Sequence, residues 1–158
     1  MAKLTGTNHG DASNALLTFY IDQAKSLEKS GHYFMAAIAL AFSVETAVLT
    51  YLLVEFGEDN GGDLEIPSNL GFYDLVDAAH EIDVLRAPID VPSQVREDGE
   101  RPKHIAKDAA DKIRIFRNLI HPARALKEGY DPNTFTLPQL KELWEMSESI
   151  MHSLMYYL

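Results

Sequence analysis

Apolar residues recur every three or four positions along most of this chain, and that spacing is typical of amphipathic α-helices. A first helix is predicted from a cap at Asp11 or Ser13 to about residue 30. The other four predicted helices cover about residues 32–56, 70–84, 103–121 and 137–158. No segment alternates apolar and polar residues over the length of a strand. The sequence therefore predicts the all-α class, a helical bundle of about five helices without a sheet, as a single domain over residues 1–158 with residues 1–10 as a candidate disordered segment.

The second predicted helix is apolar on nearly every side, unlike the amphipathic helices around it. A helix of that kind lies at the centre of a bundle or between two protomers. Two-fold packing is the commonest assembly, so we predict a symmetric homodimer. Glu45 divides the apolar run into two pieces that are each too short to cross a bilayer. We therefore expect a core helix and no membrane partner.

Charge is unevenly distributed along the chain. The net charge of -10 by itself argues against a general nucleic-acid binder. Eight basic residues nevertheless lie between Arg101 and Lys127, where only Asp108 and Asp111 oppose them. Such a cluster fits either an anion site or a solvated helix face. The chain has no cysteine and no apolar leader is visible at its start, which fits a cytoplasmic protein.

One face of the fourth predicted helix combines cationic side chains with a proton-transferring one. At about 100° per residue, four polar residues fall within one arc beside the apolar stripe of that helix: Arg114, Arg117, Asn118 and His121. Pro122 disfavours helical geometry at His121, so the imidazole lies where the helix ends or kinks. Guanidinium groups match phosphate oxygens, and an imidazole gives or takes a proton near neutral pH.

These four residues are the candidate catalytic groups, and they suit phosphate chemistry on RNA. RNA supplies its own nucleophile, the 2′-hydroxyl. No metal ion or cofactor is needed if histidine transfers the proton and arginine stabilises the phosphoryl oxygens. Lys107 and Arg124 lie in the same basic stretch and are candidate binding residues. The alternative is a structural polar seam that locks helices or protomers together.

Glu45 interrupts an apolar stripe of the second helix, which consists of Phe34, Ile38, Ala41, Val48 and Leu52. A buried carboxylate is costly unless it is paired. Glu45 is therefore predicted to form an ion pair with Arg117 or Arg114. An ion pair that orients the arginine is the favoured interpretation, and a direct part in binding or catalysis is the alternative.

The segment RNLIHP, Arg117 to Pro122, follows a long apolar helix that carries a glutamate within AFSVETAVL. Together these features resemble the HEPN superfamily over about residues 33–125. The family pattern places four to six residues between its arginine and its histidine, whereas three residues separate Arg117 from His121. Arg114 falls within the family spacing, but Ile115 then occupies the position that is commonly polar.

The resemblance implies a small helical bundle that is usually dimeric. Many HEPN proteins are metal-independent ribonucleases of toxin–antitoxin, CRISPR or phage-defence systems, and others are non-catalytic binding or scaffold modules. The first expected function is thus an endoribonuclease, with an antitoxin as partner in the toxin interpretation. The second is a catalytically silent dimer that holds RNA, a nucleotide or a partner protein. The third is a purely structural helical dimer.

Overall fold

The computed structural model describes the backbone of residues 2–59, 63–66, 71–86, 88–90 and 103–156, and side chains within 12–53, 71–86, 88–89 and 105–154. Six α-helices make up most of this part of the chain. They are α1 (Gly6–Lys29), α2 (Tyr33–Asp59), α3 (Phe72–Glu81), α4 (Ala106–Arg117), α5 (Pro122–Glu128) and α6 (Leu137–Tyr156). The predicted all-α helical bundle is thereby confirmed.

Two short antiparallel strand pairs accompany the helices. In the first, β1 (Ala2–Thr5) pairs with β2 (Asp63–Ile66), and in the second, β3 (Pro88–Asp90) pairs with β4 (Lys103–Ile105). The expectation that the bundle has no sheet is wrong for these two short strand pairs. The prediction that the fourth helix begins at about residue 103 is also wrong, because Lys103–Ile105 form β4. Strands of three or four residues are too short to show an alternating pattern, so the sequence carries no signal for them.

The sequence did not predict α5 as a separate helix. The fourth helix ends at Arg117 rather than at His121, and the chain makes a 3-10 turn over Asn118–Ile120 before α5 begins at Pro122. Proline suits the first position of a helix because its fixed φ is helical and the N–H that it lacks would have no partner there. Gly129, with a φ of 63°, ends α5 in the left-handed conformation that favours glycine.

The ends of the other helices follow the predicted signals more closely. Although α1 begins at Gly6, several residues before its predicted cap, it stops where predicted, at the left-handed Gly31. At the start of α6, the backbone N–H of Thr136 donates to Oε1 of Gln139 at 2.9 Å. This is one of the two hydrogen bonds of a capping box, which the sequence pattern Thr136 to Gln139 is typical of.

The core is built around α2. Its buried side chains join those of α3, α4 and α6 in one cluster that includes Val44, Val48, Leu75, Val76, Ile113 and Ile150. The segment Tyr33–Leu53 is long and apolar enough to cross a membrane by length and composition, with a mean hydropathy of 1.8, but 78% of it is buried inside the fold. The predicted core helix is therefore confirmed.

One side of α2 is less completely covered than the rest. Phe42, Glu45 and Leu49 are partly exposed, whereas every other residue from 36 to 52 is buried. Their spacing of three and four residues places them on one face of the helix. The C-terminal end of α4 lies against this face through Arg117, which contacts both Phe42 and Glu45. This contact defines where the candidate site is.

Candidate functional site

Arg117, the last residue of α4, makes the central contact of the site. Its Nη2 donates to Oε2 of Glu45 on α2 at 2.5 Å, and the two side chains are 19% and 18% exposed. The predicted ion pair is confirmed, with Arg117 as the partner. Because both groups are mostly removed from water, their charges interact more strongly than the same charges on an open surface.

An aromatic ring holds the Arg117 guanidinium from a second side. The guanidinium carbon lies 5.1 Å from the ring centroid of Phe42, a position in which the ring quadrupole attracts a cation. Phe42 in turn stacks on Tyr20 of α1, with centroids 5.3 Å apart. Sequence reasoning missed Phe42, although it precedes Glu45 by three residues and so shares its helix face.

The donor capacity of Arg117 is not exhausted by Glu45. A guanidinium carries five N–H donors, and Nε of Arg117 is buried without a hydrogen-bond partner among the described residues. A buried donor without a partner is uncommon in folded proteins. Because Nε is enclosed by the fold, an anion from solvent can reach only the part of the Arg117 side chain that is exposed, which is 19%.

Arg114, the alternative partner for Glu45, faces different neighbours. Its Nε lies 3.3 Å from Oδ1 of Asp111, and its guanidinium carbon lies 5.1 Å from the ring centroid of Tyr73 on α3. Lys107 contacts the same aspartate, with Nζ 2.8 Å from Oδ2. The hydrogen bond and negative charge of Asp111 raise the pKa of Lys107. The two arginines of α4 thus serve separate contacts.

Arg124 also has a carboxylate partner, but in a solvated setting. Its Nη2 lies 3.2 Å from Oε1 of Glu128, one helical turn further along α5, and both side chains are 47% exposed. All four basic residues predicted for the site therefore contact a carboxylate. An exposed pair of this kind is weak, so Arg124 exchanges partners more readily than Arg117 does.

His121 lies at a bend between two helices. Its backbone is extended, with φ -78° and ψ 121°, as predicted from the following proline. Its carbonyl oxygen accepts the N–H groups of Arg124 and Ala125, each at 3.0 Å, and so starts α5. The imidazole is exposed to solvent. Because α4 ends at Arg117, the helical wheel does not extend to His121, and the predicted shared arc is wrong for this residue.

Asn118 connects α4 to the bend. Its carbonyl oxygen accepts the backbone N–H of His121 at 3.1 Å, and its side chain is partly buried. Among the described residues, no side-chain hydrogen bond or ion pair joins His121 to Asn118, Arg117 or Arg114. The structure thus joins Arg117 to Glu45 and leaves the imidazole without a side chain that orients it in the described part of the chain.

Two lysines near the bend remain available to an anion. Lys112 on α4 and Lys127 on α5 are exposed, and the described residues offer neither of them a carboxylate within ion-pair distance. Both lie in the basic stretch, but sequence reasoning did not select them. Spacing gives no signal for them, because Asp108 and Asp131 lie four positions from Lys112 and Lys127, just as Asp111 lies four positions from Lys107.

No group of three or more His, Asp or Glu side chains within the described ranges is placed to hold a metal ion. Comparisons with protein-family models, with curated proteins and with solved structures find no match to this chain.

Proposed function

We propose that this chain is a HEPN-like domain that binds single-stranded RNA through phosphate contacts along α4, the bend at His121 and α5. The observation that carries the proposal is that Lys112, His121, Arg124 and Lys127, all within residues 112–127, are exposed. These residues belong to a stretch with an excess of positive charge in a chain whose net charge is -10. Local positive charge on an acidic protein is the pattern of a dedicated anion site rather than of non-specific attraction.

Arg117 adds a fixed cationic group to these exposed residues. Glu45 and Phe42 hold its guanidinium in one orientation. Less side-chain freedom is then lost when a phosphate binds, so the entropic cost of binding is lower. The ion pair also neutralises much of its charge. The lysines therefore supply most of the attraction in this proposal, and Arg117 supplies geometry.

Binding without cleavage is the form of this function that the geometry favours. A general acid or base works when its proton-transferring atom is held within hydrogen-bond reach of the reacting group. The exposed imidazole of His121 has no orienting partner among the described residues, and both arginines of α4 already contact carboxylates. The domain is accordingly proposed as a binding module.

Ribonuclease activity is the second candidate, favoured by the exposure of His121 beside a chain bend that follows Arg117 directly in sequence. In that reaction the 2′-oxygen of the RNA attacks the adjacent phosphorus and the bond from phosphorus to the 5′-oxygen breaks. The products are a 2′,3′-cyclic phosphate and a 5′-hydroxyl. His121 would take the proton of the attacking hydroxyl or give one to the leaving oxygen, and Arg117 would contact the phosphoryl oxygens.

A symmetric homodimer belongs to the same proposal. The apolar helix α2 is largely buried within one chain, so it does not itself require a second copy to cover it. Support comes instead from α5, which packs little: only Ala125 is partly buried, and Leu126 is 83% exposed. A second copy that covers Leu126 would bring the two bends close together. An antitoxin or another protein partner on α5 is the alternative occupant.

The test of RNA binding compares the native chain with a Lys112→Ala, Lys127→Ala double variant, using fluorescence anisotropy of a labelled single-stranded RNA at several salt concentrations. Losing two phosphate contacts should weaken binding and lower the slope of log affinity against log salt by about 1.4, at about 0.7 per phosphate for single strands. Lys141→Ala, an exposed lysine on α6, is the matched control and should change neither quantity. Unchanged affinity and slope in the double variant would rule out the proposed surface.

A further inference from the structure

A cavity of about 600 Å³ lies apart from the contacts described so far. The turn between α1 and α2 and the first residues of α2 form one wall, and a short 3-10 turn at Pro132–Thr134 with Phe135 forms the other. Its volume is within the range of small-molecule sites, about 300–1,000 Å³. Nothing in the proposed phosphate contacts uses this cavity.

Aromatic rings supply the apolar part of its lining, and their positions are fixed. Phe34 and Phe135 both line the cavity, with ring centroids 6.3 Å apart. Phe116 of α4 packs against both rings, at 5.5 Å from Phe34 and 5.0 Å from Phe135. The planes of Phe34 and Phe135 are 76° apart, so a flat heteroaromatic group can stack on one ring and meet the other edge-on without first ordering the protein.

Asn133 supplies a side-chain amide whose orientation is fixed by hydrogen bonds. Its backbone N–H and its Nδ2 both donate to Oδ1 of Asp131, at 3.0 and 3.1 Å. These two bonds orient the side-chain amide, and its Oδ1 receives no hydrogen bond from the described residues. The oxygen is therefore an acceptor available in the cavity lining, where His32 is a second, exposed polar neighbour.

We infer that this cavity binds an unpaired nucleobase carrying an exocyclic amino group. The base would stack on one of the Phe34 and Phe135 rings, meet the other edge-on and donate its amino group to Oδ1 of Asn133. Adenine presents such a donor in its exocyclic amino group, whereas the donor on the pairing edge of uracil is N3–H, flanked by two carbonyl oxygens that would face the Asn133 oxygen unfavourably. The cavity has room for a purine. This inference rests on the proposed RNA-binding function and names a base preference for it.

The cavity and the Arg117 contact lie along one face of α2. Phe34 and Glu45 are about three helical turns apart, which is about 16 Å along the helix axis. Phe116, which packs on the cavity rings, precedes Arg117 directly in α4. A single strand of a few nucleotides spans that distance, so one RNA can place a base in the cavity and a phosphate near the bend.

The first experiment uses mononucleotides with the full chain. Trp144, the only tryptophan, packs against the same cluster as Tyr33 and Phe135, so its fluorescence reports on the cavity. Titration with AMP should give a saturable change, and UMP should bind at least fivefold more weakly. Asn133→Ala should weaken AMP binding by about fivefold, the size of one net hydrogen bond, and remove the preference over UMP.

Two further variants keep this test specific. Phe135→Leu preserves apolar volume but removes a stacking ring, so it should weaken AMP and UMP alike. Asn14→Ala, an exposed asparagine on α1, is the matched control and should leave both affinities unchanged. Equal affinity for AMP and UMP, or an Asn133→Ala protein that binds AMP normally, would overturn the inference.

Single-stranded oligo(A) and oligo(U) of equal length separate this inference from the proposed function. Oligo(A) should bind more tightly, and Asn133→Ala should equalise the two. If both RNAs bind equally and depend on Lys112 and Lys127 but not on Asn133, the base site is wrong and RNA binding stands. If AMP binding depends on Asn133 and neither RNA binds, RNA binding is wrong and the cavity is a nucleotide site.

Discussion

Replacing Glu45 with alanine removes the carboxylate that pairs with Arg117 and leaves a mostly buried guanidinium without its charge partner. Breaking a buried pair in this way costs about 3–5 kcal/mol, whereas exposed pairs contribute about 0–1 kcal/mol. The side chains of Glu45 and Arg117 are 18% and 19% exposed, so solvent screens a small part of the interaction. We expect the free energy of unfolding to fall by about 3 kcal/mol, at the lower end of the buried range.

That loss is large enough to measure by thermal unfolding. For a chain of this size, each kcal/mol lowers Tm by about 2–4 °C, so Glu45→Ala should lower Tm by about 6–12 °C. Urea unfolding followed by circular dichroism gives the free energy directly, with an unchanged m value if the native and unfolded states keep their compactness. Glu45→Gln retains the shape of the side chain and a hydrogen bond, so its loss should be smaller.

The matched control is an ion pair on the same chain that is open to solvent. Arg124 and Glu128 are each 47% exposed, so Glu128→Ala should cost less than about 0.5 kcal/mol. A double-mutant cycle of Glu45→Ala with Arg117→Met isolates the pair, and a coupling energy above about 1 kcal/mol is expected for residues in direct contact. If Glu45→Ala is no more destabilising than Glu128→Ala, the burial argument is wrong.

Three further outcomes are expected. If the chain cleaves RNA, His121→Ala should lower the cleavage rate by about a hundredfold or more with little change in RNA affinity. The products should end in a 2′,3′-cyclic phosphate, and EDTA should not change the rate. A native chain that binds RNA and never cleaves it would leave only the binding module. Leu126→Glu should convert a dimer into a monomer of 17.7 kDa by light scattering, and a native chain that is already monomeric at micromolar concentration would contradict the dimer. Burial, and then the charge of Asp131, raise the pKa of Tyr130 above its usual 10.0, so the folded state holds this proton more tightly than the unfolded state does. The free energy of unfolding should therefore fall as pH rises from about 10 through that raised pKa, and it should fall less steeply in Tyr130→Phe. Identical pH profiles for the two proteins would show that Tyr130 does not contribute.

The sequence predicts a site residue best where few environments or backbone conformations are acceptable for that residue. Glu45 interrupts an apolar stripe, and a buried carboxylate has few acceptable environments, so an arginine partner follows from the pattern. Pro122 likewise restricts His121 to extended backbone. These two predictions came from strong local constraints, and both are confirmed.

The parts that the sequence did not predict lack such constraints. A helical wheel assumes a continuous helix, and it cannot show that α4 would give way to a 3-10 turn at Asn118 instead of continuing to His121. Three-residue strands such as Lys103–Ile105 have no period to detect. The cavity at Asn133 joins segments about a hundred residues apart, and only the packing of Phe34, Phe116 and Phe135 brings them together.

Glu45 also decides what kind of ligand contact Arg117 can make, because the same hydrogen bond both orients and neutralises the guanidinium. If orientation dominates, Glu45→Gln keeps a hydrogen-bonding partner for Arg117 but fixes the guanidinium less firmly, and RNA affinity should fall. If neutralisation dominates, removing the negative charge frees a cation next to the bend, and RNA affinity should rise. Each full charge that newly reaches a phosphate should also steepen the salt dependence by about 0.7 in the log–log slope. Anisotropy measurements on native and Glu45→Gln proteins at matched salt therefore distinguish two roles of Glu45: orienting the Arg117 guanidinium for phosphate binding, or neutralising its charge and so weakening phosphate binding. An unchanged affinity with an unchanged slope would place Arg117 outside the RNA contact and reduce the site to the exposed residues around His121.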